Sequence, residues 1–135
     1  MPKKIFIIED DVNILYSLQA KLRVDGHQVI TSMGNETDEI VLEKIKSHSP
    51  DYLILDLILP VSDGFNILRL LKSSWGLPHL PVFIFTSLGD SESREKVDKL
   101  GASHYLLKSE LNIDEALEKI NKILANKEKL AMHLD

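Results

Sequence analysis

Residues 52–64 read YLILDLILPVSDG, and the reading of this stretch decides the fold. Four residues, Tyr52 to Leu55, run without a break into a single carboxylate, Asp56. Leu57, Ile58 and Leu59 follow, then Pro60, then the turn Ser62-Asp63-Gly64. An apolar run bounded by turn residues predicts a strand buried on both faces. A carboxylate inside such a run is costly unless it is paired, metal-bound or at a solvent-open strand end. Asp56 therefore needs partners, and other strand ends of the chain supply them.

Working outward, short apolar runs alternate with helical periods. Lys4 to Glu9 (KIFIIE) predicts a strand, and Leu15, Leu18 and Leu22 predict an amphipathic helix over 11–25, closed by Gly26. His27 to Thr31 predicts a second strand, and Asn35 to His48 a helix with Val41, Leu42 and Ile45 inward. The third strand is Asp51 to Asp56, followed by a helix from near Asp63 that buries Ile67, Leu68 and Leu71. Ser73 to His79 is a loop in which Trp75 packs, and Pro81 to Thr86 (PVFIFT) is the fourth strand. A charged helix, Asp90 to Leu100, ends at Gly101, and His104 to Leu107 is the fifth strand. Asn112, with Glu115 three residues on, predicts a capping box for a last helix striped by Ile113, Leu117, Ile120 and Leu124. The chain therefore divides into a domain over 1–126 and a polar tail or helix extension over 127–135.

Buried strands separated by helices imply an α/β fold, a parallel sheet covered on both faces. Right-handed crossovers make it doubly wound, with five strands in the order 2-1-3-4-5 and five helices. The ligand crevice of such a sheet lies at the carboxyl ends of the strands, beside the switch point between strands one and three.

Composition narrows the function. The chain has 135 residues, 44% of them hydrophobic, enough for one domain with a real core. A net charge of −5 without a basic run argues against direct nucleic-acid binding. There is no cysteine, hence no disulfide and no thiolate metal site. No stretch is long enough to span a membrane, and no signal-peptide core follows Met1-Pro2-Lys3-Lys4, so a soluble, cytoplasmic protein is expected.

The polar residues at the predicted strand ends form one set. Strand one ends in Glu9-Asp10-Asp11, strand three in Asp56 and strand four in Thr86-Ser87, while strand five runs into Lys108. Carboxylates from adjacent strands cannot share a crevice without a cation, and oxygen-only ligands favour a hard ion such as Mg²⁺. A hydroxyl and an ammonium beside them suit the three oxygens of a transferred phosphoryl group. Asp56 is then placed to act as a nucleophile and form an acyl phosphate.

With these residues in hand, the sequence resembles the receiver domain of two-component response regulators. The match runs through IFIIEDD, DYLILDLILPVSDGF, PVFIFTS and GASHYLLK, and covers residues 4 to about 125. The resemblance implies a flavodoxin-like three-layer sandwich, phosphorylation on Asp56, and Mg²⁺ as cofactor. It assigns Glu9 and Asp10 as the acidic pair, with Asp10 the more direct metal ligand, and adds the backbone carbonyl of Ile58. Thr86 takes the place of the switch hydroxyl, Lys108 of the phosphate-contacting lysine and Tyr105 of the switch aromatic. Pro60 and Gly64 match the loop after the phosphorylation site. The implied protein is a stand-alone regulator that catalyses its own phosphotransfer and dephosphorylation, not an enzyme acting on a separate substrate. It would take its phosphoryl group from a histidine kinase or phosphotransfer protein and then bind a downstream protein, as a monomer or a phosphorylation-dependent dimer.

One position departs from the family pattern. Proline usually follows the lysine, and here Ser109 does. A cis bond before a non-proline residue costs about 2.5–4 kcal/mol, so the Lys108–Ser109 bond is expected to be trans.

Blander readings exist for each residue. Asp10 and Asp11 would serve as helix caps, Thr86 as a plain strand end, Lys108 as a solvated cation and Tyr105 as packing. His27, His48, His79, His104 and His133 lack metal-ligand spacing and are read as surface or satisfied histidines. Neither GxGxxG nor GxxxxGK[ST] occurs. The alternative from another class is a pseudo-receiver, a binding module that keeps the fold without phosphorylation.

Overall fold

The structure is a computed structural model that describes residues 2–73, 76–101 and 104–132. Trp75 and His133 lie outside the described residues. Five strands and five helices alternate: β1 Lys4–Ile8, α1 Val12–Val24, β2 Gln28–Ser32, α2 Asp38–His48, β3 Tyr52–Leu55, α3 Gly64–Lys72, β4 Val82–Thr86, α4 Ser91–Lys99, β5 His104–Leu107 and α5 Ile113–Met132. The strands form one parallel sheet in the order β2-β1-β3-β4-β5, the expected doubly wound α/β arrangement.

Strand parity divides the core in two. Ile5, Ile7, Tyr52, Ile54, Phe83, Phe85 and Leu106 face α1 and α5, meeting Leu15, Leu18, Leu22, Ala116, Leu117 and Ile120. Phe6, Ile8, Leu53, Leu55, Val82 and Ile84 face the other way, against Val41, Ile45, Ile67, Leu68, Leu71 and Val97 of α2, α3 and α4. Both faces are apolar because both are covered, which is why the strand sequences do not alternate. Truncating one of the buried Leu or Ile side chains to alanine would cost about 2–5 kcal/mol.

The helix starts are set by side-chain caps. Asp11 accepts from the amides of Asn13 and Ile14, Asp63 from Phe65 and Asn66, and Asp90 from Ser93. The capping box of α5 forms as expected: Asn112 N donates to Glu115 Oε1 at 3.0 Å, and Glu115 N to Asn112 Oδ1 at 2.8 Å. Helix α2 starts at Asp38, three residues later than the sequence suggests, because Thr37 takes the cap position. Helix α5 continues to Met132, so the segment after 126 is helix as far as it is described. That segment is rich in Ala, Lys, Glu and Leu, all strong helix formers, and contains no breaker.

Register delivers the polar residues to one edge. Ile8 pairs with Leu55, Leu55 with Ile84, and Ile84 with Tyr105. The ladder runs one step further at each strand: Glu9 N bonds Ser32 O at 3.0 Å, Asp56 N bonds Ile8 O at 3.0 Å, and Lys108 N bonds Thr86 O at 2.9 Å. Glu9, Asp56 and Lys108 are thus held by backbone hydrogen bonds at the carboxyl edge of the sheet. No described helix is long and apolar enough to cross a membrane.

Candidate functional site

The site is an acidic cluster bridged by one ammonium. Lys108 Nζ stands 2.8 Å from Glu9 Oε1 and 2.8 Å from Asp56 Oδ2. Carboxylate oxygens of Glu9, Asp10 and Asp56 lie within 4.8 Å of one another. Glu9 and Asp56 are buried, at 1% and 5% exposure, while Asp10 is exposed. The sequence treats Glu9 and Asp10 as a pair; the strand separates their roles by turning Glu9 inward. Asp11, the third acid, caps α1 and takes no part in the cluster, in line with its blander reading.

Each buried carboxylate has further partners. Glu9 Oε2 accepts from the Asp11 amide at 3.1 Å, and Asp56 Oδ1 accepts from the Ile58 amide at 3.4 Å. Burial nevertheless pushes the Glu9 carboxyl up to about 7, against the opposing pull of the Lys108 hydrogen bond and charge. Burial pushes the Lys108 ammonium down, but its bonds to Asp56 and Glu9 outweigh that and raise it above its ordinary value. The cluster therefore holds a permanent cation and a surplus of carboxylates. That donor set, oxygen-only and net negative, fits a hard divalent ion.

The loop after Asp56 is packed too closely for a side chain at its end. A Cβ on Gly64 would sit 2.5 Å from the Asp56 carbonyl oxygen and 2.5 Å from Leu57 Cα, so glycine is required there. Ile58 pairs with Asp63 in an isolated antiparallel bridge, which folds the loop into a narrow hairpin. Its side chain is 53% exposed.

Thr86 is fully buried at the end of β4, and its Oγ1 accepts from the Leu88 amide at 3.4 Å. Tyr105, half-buried on β5, donates from its hydroxyl to the Leu88 carbonyl at 2.5 Å. The Arg94 guanidinium of α4 lies 4.9 Å from the centre of the Tyr105 ring. Thr86 and Tyr105 are thus joined through the backbone of Leu88.

No peptide bond among the described residues is cis, so Lys108–Ser109 is trans as expected. The chain turns immediately afterwards, with the amides of Glu110 and Leu111 both bonded to Leu107 O, at 3.1 and 3.0 Å. Lys108 reaches both carboxylates without the proline.

Sequence reasoning missed His104. It is stacked on Phe83, with ring centres 5.1 Å apart, and its Nε2 is buried without a hydrogen-bond partner among the described residues. Among the described residues it is neither fully exposed nor satisfied at Nε2. Its place directly before Tyr105 in a short apolar strand was the available signal. Also missed were Ser62 and Asp38, which tie the hairpin after Asp56 to the neighbouring loop.

Comparison with known proteins places the chain in a family. Residues 5–121 match the family model described as the response regulator receiver domain. The response regulator PleD of Caulobacter vibrioides is 32% identical over 108 residues, 80% of this chain and 23% of that protein. The alkaline phosphatase synthesis transcriptional regulatory protein PhoP of Bacillus subtilis is 30% identical over 108 residues, 80% of this chain and 43% of that protein. A solved receiver domain protein (CheY-like) from Methanospirillum hungatei superposes with a TM-score of 0.81 at 27% identity, covering 96% of this chain and 98% of that one. The chain spans about half the length, or less, of the curated relatives it matches. A family model matched over nearly the whole fold, with an acidic cluster at the expected strand ends, makes this chain a member of the response regulator receiver-domain family of two-component signalling.

Proposed function

We propose that this receiver accepts a phosphoryl group on Asp56 in a Mg²⁺-dependent reaction and uses the change to switch binding to a protein partner. The observation that carries the reading is Lys108 bridging Asp56 and Glu9, 2.8 Å from each, with Asp10 beside them.

In the transfer, a carboxylate oxygen of Asp56 attacks phosphorus while the bond from phosphorus to the donor's histidine nitrogen breaks. The electron pair leaves with that nitrogen, and Asp56 becomes an acyl phosphate. Lys108, already at hydrogen-bond distance, exchanges its contact with the carboxylate for one with a phosphoryl oxygen. Glu9 keeps the ammonium oriented during that exchange. Mg²⁺, held by Asp10, Asp56 and the carbonyl of Ile58 with Glu9 adjacent, would neutralise charge developing on the phosphoryl oxygens. Thr86 supplies a hydroxyl to the new anion, and Tyr105 follows it through Leu88. Later attack by water on phosphorus releases phosphate and restores the carboxylate. The donor is a histidine kinase or phosphotransfer protein, and the setting is cytoplasmic.

The test is labelling with acetyl phosphate in millimolar Mg²⁺, read by intact mass. The wild type should gain one phosphoryl group, and Asp56→Asn should gain none. An unlabelled wild type would overturn the reading in favour of a phosphorylation-independent binding module.

A further inference from the structure

The hairpin that follows Asp56 is strapped to the loop between β2 and α2. The amides of Val61 and Ser62 both donate to the Gly34 carbonyl, at 3.1 and 2.9 Å. Ser62 Oγ donates to the Glu36 carbonyl at 2.6 Å. Asp38, in the first turn of α2, accepts from the Asp63 amide at 2.8 Å through Oδ1 and from Asn66 Nδ2 at 2.6 Å through Oδ2. Asn66 is in turn held by Arg69, whose Nε and terminal nitrogen donate to its Oδ1 at 3.1 and 2.6 Å. The strap continues to the other side of the acidic cluster. Gly34 N donates to Ser32 Oγ at 3.2 Å, and Ser32 O receives the amide of Glu9 at 3.0 Å.

These bonds do more than close a surface loop. Ser62 is 4% exposed, so its hydroxyl is a buried group with a specific partner. Gly34 has φ +69, and a Cβ there would sit 2.7 Å from Leu59 of the hairpin, so the two loops are in van der Waals contact. The segment from Leu57 to Asp63 has no ladder of its own beyond the Ile58–Asp63 bridge. Its near end is held by β3, where Asp56 N bonds Ile8 O and Ile58 N bonds Asp56 Oδ1, and its far end is held by the β2–α2 loop.

We propose that Ser62 and Asp38 are positioning residues for the metal site, holding the backbone of Ile58 at a set place relative to the carboxylates of Glu9, Asp10 and Asp56. Neither touches the cluster; both act through the hairpin. This inference rests on the proposed role of the Ile58 carbonyl as a metal ligand. Groups that orient ligands without touching the ion typically alter metal affinity by about 10–100-fold when removed.

The experiment measures Mn²⁺ binding to the full chain by the loss of the free-ion electron paramagnetic resonance signal. Ser62→Ala and Asp38→Ala should each weaken Mn²⁺ by roughly tenfold. Ser62→Thr, which retains the hydroxyl, should bind nearly as the wild type does. In parallel, the Mg²⁺ concentration for half-maximal labelling should rise by a similar factor, while the rate at saturating Mg²⁺ returns to that of the wild type. A purely structural role would instead lower the saturated yield of active protein and leave the half-saturation point in place. Asp38→Asn, which keeps an acceptor for the Asp63 amide, should bind nearly as the wild type does, and should Asp38→Ala fail to fold, the contrast between Ser62→Ala and Ser62→Thr carries the test. Unchanged Mn²⁺ affinity in the folded alanine variants overturns the strap. A wild type that binds Mn²⁺ but takes no phosphoryl group overturns the functional reading instead, and leaves the strap standing.

Discussion

The hydroxyl of Tyr105 donates to the carbonyl of Leu88 across 2.5 Å, which ties the middle of β5 to the segment just beyond Thr86. Any shift of Thr86 toward a phosphoryl group on Asp56 pulls on Leu88, whose amide it binds. Through its bond to the Leu88 carbonyl, Tyr105 is then drawn along. A biased two-state equilibrium of this kind needs only a modest preference in each state. Tyr105→Phe removes the bond, worth about 0.5–1.5 kcal/mol net, and keeps the ring that Arg94 covers. It should label as the wild type does, but show a smaller phosphorylation-dependent change in amide exchange across residues 86–105. Loss of labelling would show that Tyr105 serves the site or the fold directly.

The acidic cluster predicts a stabilising loss of charge. Glu9, Asp10 and Asp56 share one compensating ammonium, and Asp56 contributes to the repulsion that raises Glu9. Asp56→Asn removes a carboxylate while Glu9 keeps Lys108. The gain should be on the order of 1 kcal/mol, a rise in Tm of roughly 4 °C. Mg²⁺ should raise the Tm of the wild type, since it binds the folded state alone, and should do so far less in Asp56→Asn. It should also act more strongly at pH 8 than at pH 6, because Glu9 must lose its proton and does so only near 7. Equal Mg²⁺ shifts in both proteins, by thermal melts at matched ionic strength, would remove Asp56 from the metal site.

The sheet was legible because its strands are apolar on both faces, a pattern that few other folds produce. Asp56, Lys108, Thr86 and Glu9 were legible because each ends such a run. What could not be read was contact between loops. Asp38 sits in a polar helix start, and nothing in its surroundings marks it as the acceptor for Asp63, 25 residues on. Whether Glu9 or Asp10 turns inward depends on strand parity at the last residue, where boundaries are least certain. Composition left residues 127–135 open between a tail and a helix extension; α5 runs to Met132, and Lys3 reaches Glu128 on it at 3.2 Å.

His104 predicts a pH dependence away from the site. Burial is the main cause that lowers its imidazole from the ordinary 6.5, helped by the charges of Lys127 and Lys119 on α5. The folded state thus holds the neutral ring where the unfolded chain would bind a proton. Its contribution is fully present above about pH 6.5 and is lost as pH falls through that value toward the lowered one. Glu9, raised by burial, acts in the opposite sense over the same range, so the wild-type profile alone cannot separate the two. His104→Phe keeps a ring to stack on Phe83 and removes the titration. Between about pH 8 and about pH 5, its Tm should fall less than that of the wild type, since the Glu9 contribution is common to both. Identical profiles would show that His104 keeps its ordinary value in the fold.

The phosphoryl group proposed for Asp56 should be long-lived. Hydrolysis of the acyl phosphate needs a water placed in line with phosphorus, and side chains that accept or donate hydrogen bonds hold such a water. The residues two beyond Asp56 and two beyond Thr86 are Ile58 and Leu88, and by the family resemblance these flank its path. Ile58 is 53% exposed at the rim, and Leu88 is half-buried beside Thr86 and Tyr105. Neither side chain carries a group that can hydrogen-bond water. A slow loss of label is expected for the wild type. Ile58→Asn combined with Leu88→Glu supplies an amide and a carboxylate at those two positions without touching Asp56 or Lys108. The double variant should lose its phosphoryl group roughly 10²-fold faster, the lower end of what a positioned base contributes. The measurement is decay of the labelled mass after removal of acetyl phosphate, at constant Mg²⁺. Because Leu88→Glu places an extra acid near the cluster, each protein is compared at its own saturating Mg²⁺. Equal or slower decay in the double variant would mean that access at Ile58 and Leu88 does not set the lifetime.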